Sequence, residues 1–463
     1  MSSTDETAIE HGKLDRVVVG GVAWTAGAKW ISQLLSWPSV LITARILTPA
    51  DYGLVEMAGF YFIVTNVMAE FGLGMAVLQM RELNRAITAQ LNTIAALTGI
   101  VAFILSAAAA PLLAEFFHAP PLRFLVVITS FSFILTSLEA VPLGLLQRDM
   151  EYRKLSVNES IQALITALVS VGFAFAGFGY WSLIAGNLLG RAGNIALAVY
   201  WRPVGYARPK WKEVSAPLRF GSEIAAQRIV SSMNGLSDGV IIGRVMGESL
   251  LGAYRLAINL ANTPADKVGA LVLRVTGPLF ARVQSSTESM LRYYLILTEG
   301  LAIALFPMLF GLALVASDAV QLLLGSKWTA AIWPIRWLAI FAAFRMFSYL
   351  TNQMLTALRY TRLAMVLSFL NFLIMPFAFY IASHWSLGAV AASWLIMSPV
   401  TILPSMIKVF RSIRCGPVAF LKALAPGLVS AAVMCAGVFF LERFLAGLHG
   451  WQRLGAEVGI GGM

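Results

Sequence analysis

The chain has 463 residues, of which 59% are hydrophobic and only 12% are charged, and its net charge is +11. Soluble domains carry about 25% charged residues, so a chain this apolar could not cover the surface of a soluble fold. The composition excludes a soluble enzyme, a disordered chain and a disulfide scaffold, and it predicts an all-α, polytopic membrane protein.

Predicted membrane helices follow one another along the chain with short connections. About 20 mostly apolar residues are needed to cross a bilayer. Thirteen stretches meet this condition: residues 18–43, 52–78, 87–113, 122–146, 156–178, 180–200, 220–246, 250–273, 291–316, 331–357, 363–383, 387–410 and 419–441. None of the connections is long enough for an inserted soluble domain.

Lysine and arginine residues concentrate on one side of the predicted membrane. The N-terminus and the loops after every second span carry most of them, whereas the opposite side carries only Arg45, Arg123, Arg244, Lys327, Arg443 and Arg453. Because basic loops stay in the cytoplasm, this alternation predicts a multi-pass membrane protein with a cytoplasmic N-terminus. It also accounts for the net positive charge, so nucleic acid is not a predicted partner.

The loop after the sixth span divides the chain. Residues 202–219 are rich in proline and basic residues and form a predicted cytoplasmic linker between an N-terminal lobe, 1–201, and a C-terminal lobe, 220–410. Residues 411–463 form an extension with the thirteenth helix. Four positions of the first lobe recur 199 residues later: Lys29 and Arg228, Arg45 and Arg244, Gly53 and Gly252, and Ala58 and Ala257. Six helices per lobe is an even number, so the repeat is parallel, with two lobes around a central cavity.

Ionisable and amide side chains lie inside the first two predicted helices of each lobe. A charge at the centre of the bilayer costs about 2.5 kcal/mol or more, so it should face a cavity or a partner. The residues concerned are Lys29, Glu70, Arg228, Asn234, Asp238, Arg255, Asn259, Asp266 and Lys267. We predict that they line the central cavity; the alternative is that they join helices through hydrogen bonds or salt bridges.

The sign of each group suggests its role. Buried bases suit an anionic ligand, and arginine suits phosphate or carboxylate. The predicted substrate-binding residues are Lys29, Arg228, Arg255, Lys267, Asn259 and Asn234. The acids Glu70, Asp238 and Asp266 could take up a proton or a sodium ion and couple a gradient to transport. Outside this group, Glu139, Arg191 and Arg336 are isolated, and a local ion pair or snorkelling to the interface explains each.

No pattern supports an enzyme. Residues 235–239 match the G-x-S-x-G nucleophile pattern, but they lie inside a predicted membrane helix with no strand before them. The chain contains neither a P-loop nor an H-E-x-x-H pair, and Cys415 and Cys435 are its only cysteines. The sequence therefore predicts a transporter without a catalytic site, metal or bound cofactor.

The segment Arg45-Ile46-Leu47-Thr48-Pro49-Ala50-Asp51-Tyr52-Gly53 closely resembles the end of the first helix in bacterial polysaccharide flippases of the Wzx type. These belong to the multidrug/oligosaccharidyl-lipid/polysaccharide exporter superfamily. Weaker matches follow at residues 70–74, 146–153 and 251–254. The resemblance implies two six-helix lobes that open alternately to either side. Its implied substrate is an undecaprenyl-pyrophosphate-linked oligosaccharide, such as a repeat unit of O-antigen, capsule or exopolysaccharide. Membrane lipids, a polysaccharide polymerase and the export machinery are the implied partners.

Two other functions need different residues. A cation-coupled multidrug exporter on the same fold would favour acidic residues in the cavity, and this chain has at least as many bases. A membrane glycosyltransferase or polymerase would need a catalytic carboxylate in a large extramembrane loop, and the sequence has no such loop.

Overall fold

The computed structural model describes residues 32–33, 35–70, 73–80, 84–210, 212, 214–215, 218–219, 221–222 and 235–444. Every regular secondary-structure element within these ranges is a helix. The predicted all-α class is therefore confirmed.

The described residues form two compact units, one that ends at Leu236 and one that begins at Ser237. The helices of unit 1 are α1 (35–46), α2 (Pro49–Glu70), α3 (Leu73–Gln79), α4 (Arg85–Phe116), α5 (Leu122–Thr129), α6 (Phe131–Arg148), α7 (Tyr152–Phe175) and α8 (Trp181–Trp201). Those of unit 2 are α9 (Ser237–Met246), α10 (Glu248–Val283), α11 (Thr287–Ala319), α12 (Ile332–Ala357), α13 (Thr361–Ser383), α14 (Leu387–Ile413) and α15 (Pro417–Phe444). A π turn, Val320–Leu324, and a 3-10 turn, Ser326–Ala331, connect α11 to α12.

Nine helical stretches in the described part of the chain are long and apolar enough to cross a membrane. They coincide with the third to sixth and the ninth to thirteenth predicted spans. The second predicted span corresponds to α2 and α3, and the eighth lies within α10, which carries several charged residues. The first and seventh spans extend into residues outside the described ranges. The multi-pass architecture is confirmed, and the lobe boundaries and the repeat stay predictions.

The helix ends follow local sequence signals. The side chains of Asn84, Ser286 and Ser386 cap α4, α11 and α14 by accepting a backbone N–H three residues ahead. The loops after α6 and α12 both close on a residue with positive φ, Met150 (52°) and Arg359 (61°). A left-handed conformation costs a non-glycine residue about 1 kcal/mol or more. The loops after the fourth and tenth predicted spans thus contain a residue in the same backbone conformation.

Residues 45–53, which carry the family resemblance, connect two loops of unit 1 through hydrogen bonds of Asp51. Asp51 Oδ2 accepts hydrogen bonds from the backbone N–H of Thr48 (2.8 Å) and from its hydroxyl (2.7 Å), which caps α2. Asp51 Oδ1 accepts the backbone N–H of Tyr180 at 3.0 Å. The neighbouring Gly179 has φ +54°, and a β-carbon there would lie 3.0 Å from Asp51 Oδ1. The carboxylate therefore joins the α1–α2 loop to the α7–α8 loop.

The predicted linker begins as an extended strap against α4. Thr93 Oγ1 accepts the backbone N–H of Ala207 at 3.0 Å, and Gln90 Oε1 accepts that of Lys210 at 2.7 Å. Further on, Val214 is 1% exposed and packs in a cluster with Leu73, Val77, Leu91, Ala95 and Val141. At least this part of the linker is integral to unit 1.

Small residues set the closest helix contacts. Gly186 and Gly190 of α8 face Ser170 and Thr166 of α7, and a β-carbon at either glycine would overlap the facing hydroxyl. In unit 2, Gly427 of α15 lies against the backbone of Ala302 in α11 in the same manner. The thirteenth predicted span, α15, thus packs closely into unit 2.

Candidate functional site

The polar face of α10 is the main charged feature inside unit 2. Arg255, Asn259, Asn262 and Asp266 follow at intervals of three or four residues, which places them on one face of the helix. At 1.5 Å per residue the face extends for about 16 Å, roughly half the thickness of the hydrocarbon core. Asn259, Asp266 and Lys267 are exposed on the surface of the unit, and Arg255 is partly buried.

Asp238 lies in the first turn of α9 and is 1% exposed. Its Oδ2 accepts the hydroxyl of Tyr254 at 2.9 Å, and its Oδ1 accepts the backbone N–H of Gly239 at 2.6 Å. The same Oδ1 lies 3.8 Å from Nη2 of Arg255. These partners are hydrogen-bond donors or a cation, and together they satisfy both oxygens of the buried carboxylate.

A tryptophan extends this cluster to a third helix. The indole N–H of Trp394, in α14, donates to the hydroxyl of Tyr254 at 2.9 Å. The Trp394 ring stacks on Phe341 at 5.3 Å between centroids and packs against Phe379 at 5.1 Å. We name Asp238, Tyr254, Arg255 and Trp394 the Asp238 cluster. It ties α9, α10 and α14 together.

Asp266 pairs with an arginine from another helix. Arg345 Nη2, on α12, lies 2.6 Å from Asp266 Oδ1, and its guanidinium lies 5.5 Å from the ring centroid of Tyr349. The Asp266 side chain is 56% exposed and that of Arg345 20%. Among the described residues, Asn262 Oδ1 and Arg345 Nε are buried without a hydrogen-bond partner. This end of the face is thus open and retains unused hydrogen-bonding capacity.

The structure describes five of the nine predicted site residues in full. It brings Asp238 and Arg255 together, and it places Asn259, Asp266 and Lys267 further along the same α10 helix. Lys29, Arg228 and Asn234 lie outside the described residues, as does the side chain of Glu70 at the end of α2. Both described acids have an arginine partner, so the salt-bridge alternative applies to them, and the functional roles of all nine stay predictions.

Sequence reasoning did not select Tyr254 or Trp394, and it noted Arg345 as a polar residue of the tenth span without assigning it to the site. Arg345 carried a signal, because it is a charged residue inside an apolar span. Trp394 carried a weaker one, since a buried indole N–H needs an acceptor. Within the described ranges no group of three or more His, Cys, Asp or Glu residues is placed to hold a metal ion.

Residues 42–333 match the protein family described as "Polysaccharide biosynthesis protein". The chain belongs to this family. The matched region includes residues 45–53, so the resemblance found in the sequence is confirmed.

Two curated relatives and one solved structure extend this result. The lipopolysaccharide biosynthesis protein WzxC of Escherichia coli is 26% identical over 71% of this chain and 67% of its own length. The succinoglycan biosynthesis transport protein ExoT of Rhizobium meliloti is 30% identical over 69% and 65%. The fold is similar to that of the lipid II flippase MurJ in an inward closed conformation, with a TM-score of 0.71, 14% identity, and 94% and 96% of the two chains covered. The chain is therefore a multi-pass inner-membrane protein of a polysaccharide biosynthesis family.

Proposed function

We propose that this chain is a flippase that moves a lipid-linked oligosaccharide across the bacterial cytoplasmic membrane by alternating access. The observation that carries the proposal is the polar face of α10, which carries Arg255, Asn259 and Asp266 in a unit otherwise built largely of apolar, membrane-length helices. A helix of this kind suits an amphiphile with a charged, hydroxylated head and a lipid tail. Family membership directs the proposal to a saccharide.

The chemistry of the face fits the parts of such a substrate. The pyrophosphate of an undecaprenyl carrier needs guanidinium or ammonium groups to replace its hydration. Sugar hydroxyls need amide and carboxylate groups, which the exposed Asn259 and the half-exposed Asp266 supply. The lipid tail stays in the bilayer. Lys29, Arg228 and Asn234 are proposed to complete the binding group.

The driving force is proposed to be a proton or sodium gradient. Asp266 is the better candidate of the two described acids, because its side chain is 56% exposed whereas Asp238 is enclosed by donors. Glu70 is the third candidate. An Asp266→Asn or Glu70→Gln variant should reach the membrane in normal amounts and lose gradient-driven transport. Normal transport by both variants would remove these acids from the coupling proposal.

The proposal makes the chain a transporter and not an enzyme, working beside a polysaccharide polymerase and export machinery. Deletion of its gene should abolish surface polysaccharide and leave the lipid-linked repeat unit in the inner leaflet. Mass spectrometry should show that this accumulated repeat unit is chemically unchanged. Restoration by the wild-type gene is the control.

The alternative is a cation-coupled multidrug exporter. Arg255 and Arg345 disfavour it, since guanidinium groups repel cationic drugs. A deletion strain that becomes sensitive to cationic drugs but keeps its surface polysaccharide would decide for the exporter.

A further inference from the structure

Arg191 lies at the middle of α8 in unit 1. It is ten residues from each end of the Trp181–Trp201 helix, which is about 15 Å at 1.5 Å per residue. Its Nη1 donates to Thr136 Oγ1 at 2.7 Å, and its Nε is 3.3 Å from Asn187 Oδ1. Thr136 is itself near the middle of the Leu122–Arg148 span. From the positions of Arg191 and Thr136 along two membrane-length helices, we infer that the guanidinium lies near the centre of the membrane and does not snorkel to an interface.

Both hydrogen-bond partners of Arg191 in the described part of the chain, Thr136 and Asn187, are neutral. Among the described residues it forms no ion pair, and this includes Glu139, one turn further along α6. A guanidinium has five N–H donors, and Nη2 donates to no described residue. In this respect Arg191 differs from Arg255 and Arg345, which face Asp238 and Asp266.

The surroundings of Arg191 are polar on the same helix. Asn187, one turn before it, is exposed on the surface of unit 1. Asn194 connects the next turn to α7, since it accepts from Asn158 and donates to Gln162, each at 2.5 Å. Hydrocarbon does not solvate an arginine and an exposed amide at mid-membrane depth. This surface of unit 1 therefore meets water or a polar ligand.

We propose that Arg191, positioned by Thr136 and Asn187, is an anion-binding group that takes a phosphate or carboxylate of the translocated molecule. The proposal rests on the proposed flippase function and adds a binding residue from unit 1. A fixed, mid-membrane cation with open donors can replace the water that an anion loses there.

The test uses the full chain in proteoliposomes and a fluorescent polyprenyl-pyrophosphate disaccharide, with flipping followed by dithionite quenching. One probe carries neutral sugars and a second ends in glucuronic acid. Arg191→Gln should raise the half-saturating probe concentration about tenfold with little change in maximum rate, and Arg191→Lys should recover most of the loss. An equal effect on both probes assigns the pyrophosphate, and an effect on the acidic probe alone assigns the sugar carboxylate.

Arg336→Gln is the matched control, because Arg336 also donates to a neutral hydroxyl, that of Ser317 at 3.2 Å, but lies near the beginning of α12. It should leave half-saturation unchanged. Wild-type half-saturation in Arg191→Gln would overturn the proposal. If Arg191→Gln does not accumulate in the membrane, the double variant Thr136→Val with Arg191→Met replaces it. This double variant removes both members of the Arg191–Thr136 hydrogen bond, and it is judged by the same criteria.

Failure of the flippase function gives a different result, in which the wild type moves neither probe. Protection by inorganic pyrophosphate against thermal unfolding is then compared between the wild type and Arg191→Gln, which loses the positive charge. Weaker protection of the variant supports the anion site, and equal protection overturns it.

Discussion

Individual charged residues in unit 2 differ in how far they are enclosed. Asp238 is 1% exposed and has Tyr254, Gly239 and Arg255 as partners, whereas Asp266 is 56% exposed and has Arg345. Removing one member of a buried ion pair leaves the other charge uncompensated, at a cost of about 3–5 kcal/mol. The same substitution at an exposed pair costs little. We therefore expect Asp238 to serve mainly stability, and Asp266 to be the more accessible of the two to a transported molecule.

Asp238→Ala is expected to lower both the amount of protein in the membrane and its melting temperature. The physical reason is the uncompensated Arg255 charge together with the lost acceptor of Tyr254. The double variant Asp238→Ala with Arg255→Ala should recover part of the stability, measured by thermal unfolding in detergent. If Asp238→Ala is as stable as the wild type but does not transport, Asp238 serves the ligand and not the fold.

Asp51→Ala should destabilise unit 1 by about 1–2 kcal/mol, because a helix cap and the contact with the Tyr180 N–H are lost together. Asp51→Asn, which keeps an acceptor oxygen, is the matched variant and should lose less. Thermal unfolding of the purified variants measures the difference. Equal stability of Asp51→Ala and the wild type would contradict the structural role of residues 45–53.

At the scale of elements, α8 has two adjacent faces with different tasks. Gly186 and Gly190 pack against α7, whereas Asn187 and Arg191 follow each of them by one residue and form the polar face. A rotation or displacement of α8 would therefore move the guanidinium as well as the packing surface. The end of this helix is also tied to the α6–α7 loop, since Arg202 pairs with Asp149 and Glu151.

Gly186→Leu and Gly190→Leu should each destabilise unit 1 by about 1–3 kcal/mol, because the added side chain has no space against α7. Ala196→Leu, at an exposed position of the same helix, is the control and should be neutral. The amount of folded protein after solubilisation in mild detergent is the measurement. A neutral result at both glycines would mean that α7 and α8 can separate without cost.

The α6–α7 loop should give a pH-dependent stability. The hydrogen bond from Lys154 to Glu151 lowers the pKa of the Glu151 carboxyl below the ordinary 4.5, and the charges of Lys154 and Arg202 lower it further. A lowered pKa contributes stability that is complete above the ordinary value and is lost as the pH falls through the lowered one. Glu151→Gln should therefore unfold at a slightly lower temperature than the wild type at neutral pH, and the gap should close in acid. A gap that widens in acid would contradict the assignment.

For the whole molecule, the predicted orientation follows from the distribution of basic residues. We expect Arg123 to face the periplasm and Arg153 the cytoplasm. Both side chains are exposed at the ends of their helices. Labelling at these two sites therefore tests the orientation of the protein in the membrane.

In a background with alanine at Cys415 and Cys435, Arg123→Cys should react with a membrane-impermeant maleimide in intact cells. Arg153→Cys should react only after lysis. The reverse pattern would invert the topology and with it the predicted cytoplasmic N-terminus.

The fold class and most of the spans follow from the sequence because hydropathy is a local property: about 20 apolar residues form a membrane helix wherever they occur. Residues 45–53 carry the family resemblance, and their contact between Thr48 and Asp51 is also local, because it is formed within one helical turn.

The partners of the charged residues were decided only by tertiary packing. Sixteen residues separate Asp238 from Tyr254, 140 separate Tyr254 from Trp394, and 55 separate Arg191 from Thr136. Helix periodicity gives the face on which a side chain lies but not the helix that it meets. A buried pair therefore could not be told from an open ligand group in the sequence, and the contacts across α8, α9, α10, α12 and α14 make that distinction.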